Sequence, residues 1–138
     1  MGRLRFLVFY LGCGVAASIV QVLFDLRSEV PVIGASGAVA GVLGAYLLLF
    51  PRAKILTLLP IFFFITFVRI PAIYFLGFWF LKQIWWGSLT LSAMGGTVTD
   101  VAWWAHTGGF VTGFAAALAV RRRRAPSDRP PKDSVTAA

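Results

Sequence analysis

The chain alternates long apolar stretches with short polar clusters. The first stretch runs from about Leu4 to Phe24, and Asp25, Arg27, Ser28, Glu29 and Pro31 follow it as a polar turn. The second starts near Gly34 and ends at Phe50, where Pro51 and Arg52 close it. It is short for a membrane helix, which usually takes ~20 residues. Residues 55–68 are apolar with Pro60 inside; Arg69 and Pro71 interrupt, and 72–86 is apolar again with Lys82 near its end. A single straight helix over 55–86 would be about 48 Å long, well beyond a membrane core of ~30 Å. The last stretch, about Val101 to Val120, ends in four arginines, Arg121 to Arg124.

This pattern predicts an all-α fold, a multi-span transmembrane bundle. Arg3 and Arg5 lead the first stretch, Arg52 and Lys54 follow the second, and the arginine run follows the last. Lys and Arg at such flanks mark the cytoplasmic side. Two cytoplasmic flanks at Arg52 and Arg121 require an even number of crossings between them. The expected spans are therefore about 4–24, 34–50, 71–87 and 101–120, within one domain over 1–120. Residues 55–68 become an interfacial or re-entrant segment on the cytoplasmic side, where the Phe62, Phe63, Phe64 cluster suits partial insertion. Residues 88–100, rich in Gly, Ser and Thr with Gly95-Gly96, predict an external loop. Trp85, Trp86, Trp103 and Trp104 flank it, where an outer aromatic belt belongs. Residues 121–138, with Pro126, Pro130 and Pro131, predict a basic, disordered cytoplasmic tail. The first stretch is too long for a signal-peptide core and lacks a clear cleavage site, so it reads as a span.

Composition strengthens this picture. Of 138 residues, 59% are hydrophobic, and the mean hydropathy is +0.82. Lipid is the expected solvent and partner. The net charge of +8 sits at span ends, with no accompanying nucleic-acid motif, so no nucleic-acid partner is expected. The terminal basic run suits anionic headgroups. A lone cysteine, Cys13, excludes a disulfide framework and reads as a small buried side chain. One histidine, one cysteine and scattered acids predict no metal site.

Two motifs carry candidate chemistry. One is Gly34-Ala35-Ser36-Gly37, followed by Gly41 and Gly44; the other is Ala105-His106-Thr107-Gly108-Gly109, followed by Gly113. Each alone reads equally well as a small-residue helix contact. Together they imply more. Counted up from Arg52 at 1.5 Å per residue, Ser36 lies about 24 Å above the inner boundary; counted from Arg121, His106 lies about 22 Å above it. The two groups share a height, and the Gly-xxx-Gly faces let their helices approach. A serine hydroxyl becomes a nucleophile when a neighbouring base takes its proton, and histidine does so near neutral pH. An ionisable group inside a span is a functional candidate by default. With no acidic residue well placed, a Ser36–His106 dyad is expected. Asp100 is read as a helix cap or interface residue rather than a third member.

These residues resemble the rhomboid intramembrane serine proteases. The resemblance rests on Gly-Ala-Ser-Gly at 34–37 opening a short span and on Ala-His-x-x-Gly-x-x-x-Gly at 105–113 on the last one. Gly2-Arg3-Leu4-Arg5-Phe6 and Phe50-Pro51-Arg52-Ala53 extend it over residues 2–120. It implies a six-helix bundle, of which these spans are the third to sixth of the core helices, four of six. It implies that Ser36 attacks a peptide bond in a transmembrane segment of a membrane-protein substrate, with His106 as base and then acid. Gly34, Ala35, Gly37, Gly41, Gly109 and Gly113 serve the oxyanion site and helix packing. It implies no cofactor, a cap from the 88–100 loop, and a mobile helix at 71–87 beside the substrate entrance. The expected location is a bacterial plasma membrane, multi-pass, with a cytoplasmic C-terminus. The family carries two helices before this stretch, with a His-x-x-x-Asn motif for the oxyanion and a Trp-Arg pair in the first external loop; this sequence has neither. The expectation is a truncated start, from a late start codon or a partial chain, an active full-length parent, and weak or no activity for these residues alone. A catalytically inactive relative that binds membrane clients is the alternative, and a transporter or channel piece a more distant one. The sequence leaves the substrate, the organism and the oligomeric state open.

Overall fold

A computed structural model of the chain describes residues 2–24, 34–61, 64–92 and 101–123. The polar turn at 25–31, Phe62 and Phe63, the Gly95-Gly96 loop, Asp100 and the tail beyond 123 lie outside the described residues. Four helices are present: α1 (Arg3–Phe24), α2 (Ser36–Leu49), α3 (Ala72–Ser92) and α4 (Trp103–Arg123). Each forms where an apolar run contains no proline, so the backbone can close every internal hydrogen bond. Gly34 opens α2 from φ +142°, a conformation L side chains rarely adopt, so the chain turns into the helix there at little cost only as glycine.

The all-α expectation is corrected between α2 and α3. Strands β1 (Lys54–Ile61) and β2 (Phe64–Pro71) form an antiparallel hairpin with Lys54 opposite Pro71 and Ile61 opposite Phe64. The residues explain it. Pro60 interrupts any helix, and Ile55, Thr57, Ile65, Thr66, Val68 and Ile70 are β-branched, which suits a pleated backbone. The hairpin base also joins the two helices. The Ala72 and Ile73 N–H groups donate to the Ala53 and Pro51 carbonyls at 2.8 and 3.0 Å. These bonds satisfy orphan donors in the first turn of α3.

Two boundaries also shift. Residues 88–92, expected in the external loop, continue α3. Ser88, Thr90 and Ser92 turn their hydroxyls back onto the carbonyls of Ile84, Gly87 and Ser88, so their polar groups are met inside the helix. Helix α4 likewise runs through Arg121 and Arg122 to Arg123 rather than giving way to a tail at 121.

The interior is built from small side chains. Cys13 and Ala17 of α1, Gly37, Ala38, Ala40, Gly41 and Gly44 of α2, and Ala105, Gly109 and Gly113 of α4 are buried. Leu76 and Phe110 are buried among them, but many large apolar side chains point outward: Leu4, Val8, Leu11, Val15 and Ile19 on α1, and Tyr74, Phe78, Leu81 and Trp85 on α3. In water each exposed side chain would forgo about 25 cal/mol per Å² of apolar burial; in lipid it loses nothing. Without a hydrophobic force between helices, close backbone contact holds them together, and small residues permit it. Among the described helices, α1 is the one long and apolar enough to cross a membrane on its own; α2 is apolar but shorter.

Helices α2 and α4 run parallel and interlock. Gly37 meets Ala105 and Gly109, Gly41 meets Gly109 and Gly113, and Gly44 meets Phe110 and Phe114. Parallel packing brings Arg52, just past α2, and Arg121, near the end of α4, to one end of the bundle. Helix α1 is antiparallel to both. Its Cys13 fills the groove at Gly41, Ala17 fits against Gly37, and Val20 packs on Gly108.

A methyl group on Gly113 would overlap the Gly41 carbonyl. Neither partner is a flexible side chain, so the helices themselves must separate. Gly113→Ala is expected to lower stability by about 1–3 kcal/mol, the range for overpacking, and Gly113→Val by more. Thermal unfolding in detergent checks this; an unchanged Tm for both would contradict the interlock.

Candidate active site

Ser36 is the first residue of α2. The first helical bond runs from Val39 N–H to the Ala35 carbonyl at 3.1 Å. The N–H groups of Ser36, Gly37 and Ala38 therefore have no acceptor within the helix. They gather at the positive end of the helix dipole. Ala35, at the cap position, supplies no side-chain bond to them. The Ser36 side chain is exposed beside these donors.

His106 sits in the first turn of α4, its N–H bonded to the Ala102 carbonyl at 3.2 Å. It follows Ala105, and Ser36 precedes Gly37. Gly37 and Ala105 face each other so closely that a Cβ on Gly37 would stand 3.4 Å from the Ala105 carbonyl oxygen. Ser36 and His106 thus flank one contact between the two helices. Among the described residues the hydroxyl and the imidazole share no hydrogen bond. Gly37, Gly41, Gly109 and Gly113 come together in the seam beneath them, while Gly34 and Ala35 shape the entry to α2.

The imidazole is held from α3. His106 Nδ1 lies 2.9 Å from Gln83 Oε1, and Gln83 is only 3% exposed. The Trp79 ring flanks the imidazole at a centroid distance of 5.9 Å. Trp79 and Gln83 are four apart and so share a face of α3. Phe80 stacks on Phe110 at 4.5 Å one turn further along α4.

A second buried glutamine fixes the start of α4. Gln21 of α1, 9% exposed, accepts the Ala105 N–H at 3.0 Å through its Oε1. One orphan donor next to His106 is thereby satisfied from a neighbouring helix. Above it, Phe24 stacks on Trp104 at 4.0 Å with the rings 8° apart. Asp100, read from the sequence as a cap, stands outside the described residues, and the cap position of α4 belongs to Ala102.

Gln21, Gln83 and Trp79 are absent from the sequence-based site. A signal for the glutamines existed: an uncharged polar residue in an apolar span needs a partner. Sequence spacing cannot say which partner, because both contacts join different helices.

These features define a helical membrane protein whose α2 and α4 meet along a glycine seam, with Ser36 at the start of one and His106 in the first turn of the other. A family model, the Rhomboid domain, matches residues 1–123. The chain belongs to the rhomboid family, a family of intramembrane serine proteases. No curated protein and no solved structure matches it.

Replacing Gln21 with Leu leaves the Ala105 N–H buried and unpaired. The expected cost is about 1–3 kcal/mol, measured as a shift of the unfolding midpoint in mixed micelles. A variant as stable as the parent would show that the bond contributes nothing.

Proposed function

We propose that the chain is a multi-pass membrane endopeptidase that cleaves transmembrane segments of membrane proteins, with Ser36 as nucleophile and His106 as general base. The observation that carries this is the seam of α2 and α4, which has Ser36 and His106 on either side of its outermost contact. His106 takes the Ser36 Oγ proton as Oγ attacks the scissile carbonyl carbon. Negative charge then develops on the carbonyl oxygen. The free N–H groups at the start of α2 are donors suited to it. His106 returns the proton to the leaving amine, and water hydrolyses the acyl-enzyme by the same route in reverse. No metal or cofactor enters these steps.

The membrane placement follows the packing. Large apolar side chains face outward along α1 and α3, and α1 has the length to span. The hairpin has two open edges, whose unpaired backbone groups a hydrocarbon core does not tolerate. An interfacial position therefore suits it better than a re-entrant one. Arg52, Lys54 and Arg69 at its base favour the cytoplasmic headgroup layer.

Reaction with a fluorophosphonate probe in membranes tests the dyad. Whatever labelling the chain shows, weak as it is expected to be, falls on Ser36, is lost in Ser36→Ala, and is slowed roughly 10²–10⁴-fold in His106→Ala, the usual share of a positioned base. Labelling that survives Ser36→Ala would sink the assignment and favour a role in binding membrane segments without cleaving them.

A further inference from the structure

The imidazole of His106 has two nitrogens, and only one of them can serve as base at a time. Nδ1 is committed to Gln83 Oε1 at 2.9 Å. An amide oxygen only accepts, so the bond forms when the ring proton is on Nδ1. That tautomer leaves the Nε2 lone pair free on the opposite edge of the ring. In water a neutral histidine side chain favours the other tautomer, with the proton on Nε2, which could not accept a proton there. The usual partner that fixes a histidine tautomer is a carboxylate or a backbone carbonyl. All five acidic residues of the chain, Asp25, Glu29, Asp100, Asp128 and Asp133, lie outside the described residues, and none belongs to the four helices.

We infer that Gln83 is a positioning residue: it holds His106 in the Nδ1–H tautomer and so frees Nε2 to act as the base. This deepens the reading of Ser36 and His106 as the reacting pair and rests on it for its catalytic meaning. Three observations converge. Gln83 is 3% exposed, so its amide is not dispersed among competing waters. A glutamine buried on an otherwise apolar helix face is costly without a partner, and the imidazole is that partner. Trp79, one turn earlier, flanks the ring at 5.9 Å and limits its rotation. The positioning group therefore comes from α3, whereas the nucleophile and the base come from α2 and α4. Orientation of the base depends on α3 being seated.

His106 is the only histidine in the chain, which makes a direct test possible. The full chain, labelled with ¹⁵N-histidine, is placed in lipid nanodiscs at a pH where the ring is neutral, and the two nitrogen shifts are read. The expected spectrum is a single Nδ1–H form. Gln83→Leu, which keeps the volume and removes the acceptor, is expected to convert it to a mixture or to the Nε2–H form. Gln83→Glu restores an acceptor and is expected to keep Nδ1–H. Fluorophosphonate labelling should fall roughly 10²-fold in Gln83→Leu, the low end of a positioned base's contribution, and recover in Gln83→Glu. An Nε2–H form in the parent chain, or a spectrum indifferent to Gln83→Leu, would overturn the inference. The spectrum does not depend on catalysis. Labelling that persists in Ser36→Ala would instead reject the protease reading, whatever the tautomer.

Discussion

Backbone-to-backbone contact between α2 and α4 is the constraint on which the rest depends. Gly37, Gly41 and Gly44 face Gly109, Gly113 and the backbone around Phe110 with no space for a single methyl group. That separation shortens the distance across the seam for side chains carried one on each helix. The seam also fixes direction. Parallel α2 and α4 put the start of both helices, with Ser36 and His106, at one end, and the basic flanks at the other.

Such packing would be weak in water, where glycine buries little apolar area and costs backbone entropy. In lipid the accounting changes. Apolar side chains gain nothing by leaving the hydrocarbon, so the helices associate through dispersion and a few buried hydrogen bonds. Here those bonds come from two glutamines. Gln21 ties α1 to the start of α4, and Gln83 ties α3 to the imidazole. Both converge on adjacent residues, Ala105 and His106. Among the described residues, both interhelical side-chain hydrogen bonds thus converge on the candidate site.

Helix α3 is attached differently from the other three. Its contacts with α4 are aromatic and polar: Trp79 and Gln83 on His106, Phe80 on Phe110, Trp86 on Trp103. At its start, hydrogen bonds to Pro51 and Ala53 tie it to the hairpin and the end of α2. Its glycine Gly77 meets no neighbour, while Gly87 packs on the Trp104 ring. The partner of His106 is therefore on a helix that meets α4 through side chains rather than through a glycine seam.

The sequence by itself determined what is local. Apolar run length locates the four helices, because a helix closes its own hydrogen bonds, although α3 and α4 run past the ends that the polar flanks suggest. The Gly-Ala-Ser-Gly and Ala-His-x-x-Gly-x-x-x-Gly motifs were legible because glycine spacing of four marks one helix face, and nearly equal counts from Arg52 and Arg121 give Ser36 and His106 nearly one expected height. The hairpin at 54–71 was not legible as β structure. A continuous apolar run carries no period to separate strand from buried helix, and the Lys54–Pro71 pairing lies seventeen residues apart, beyond any local pattern. Gln21 and Gln83 were not legible as site residues either: they lie 84 and 23 residues from their partners. Only the tertiary structure decided which polar group inside an apolar helix meets which other, because that choice depends on how the helices are rotated against one another.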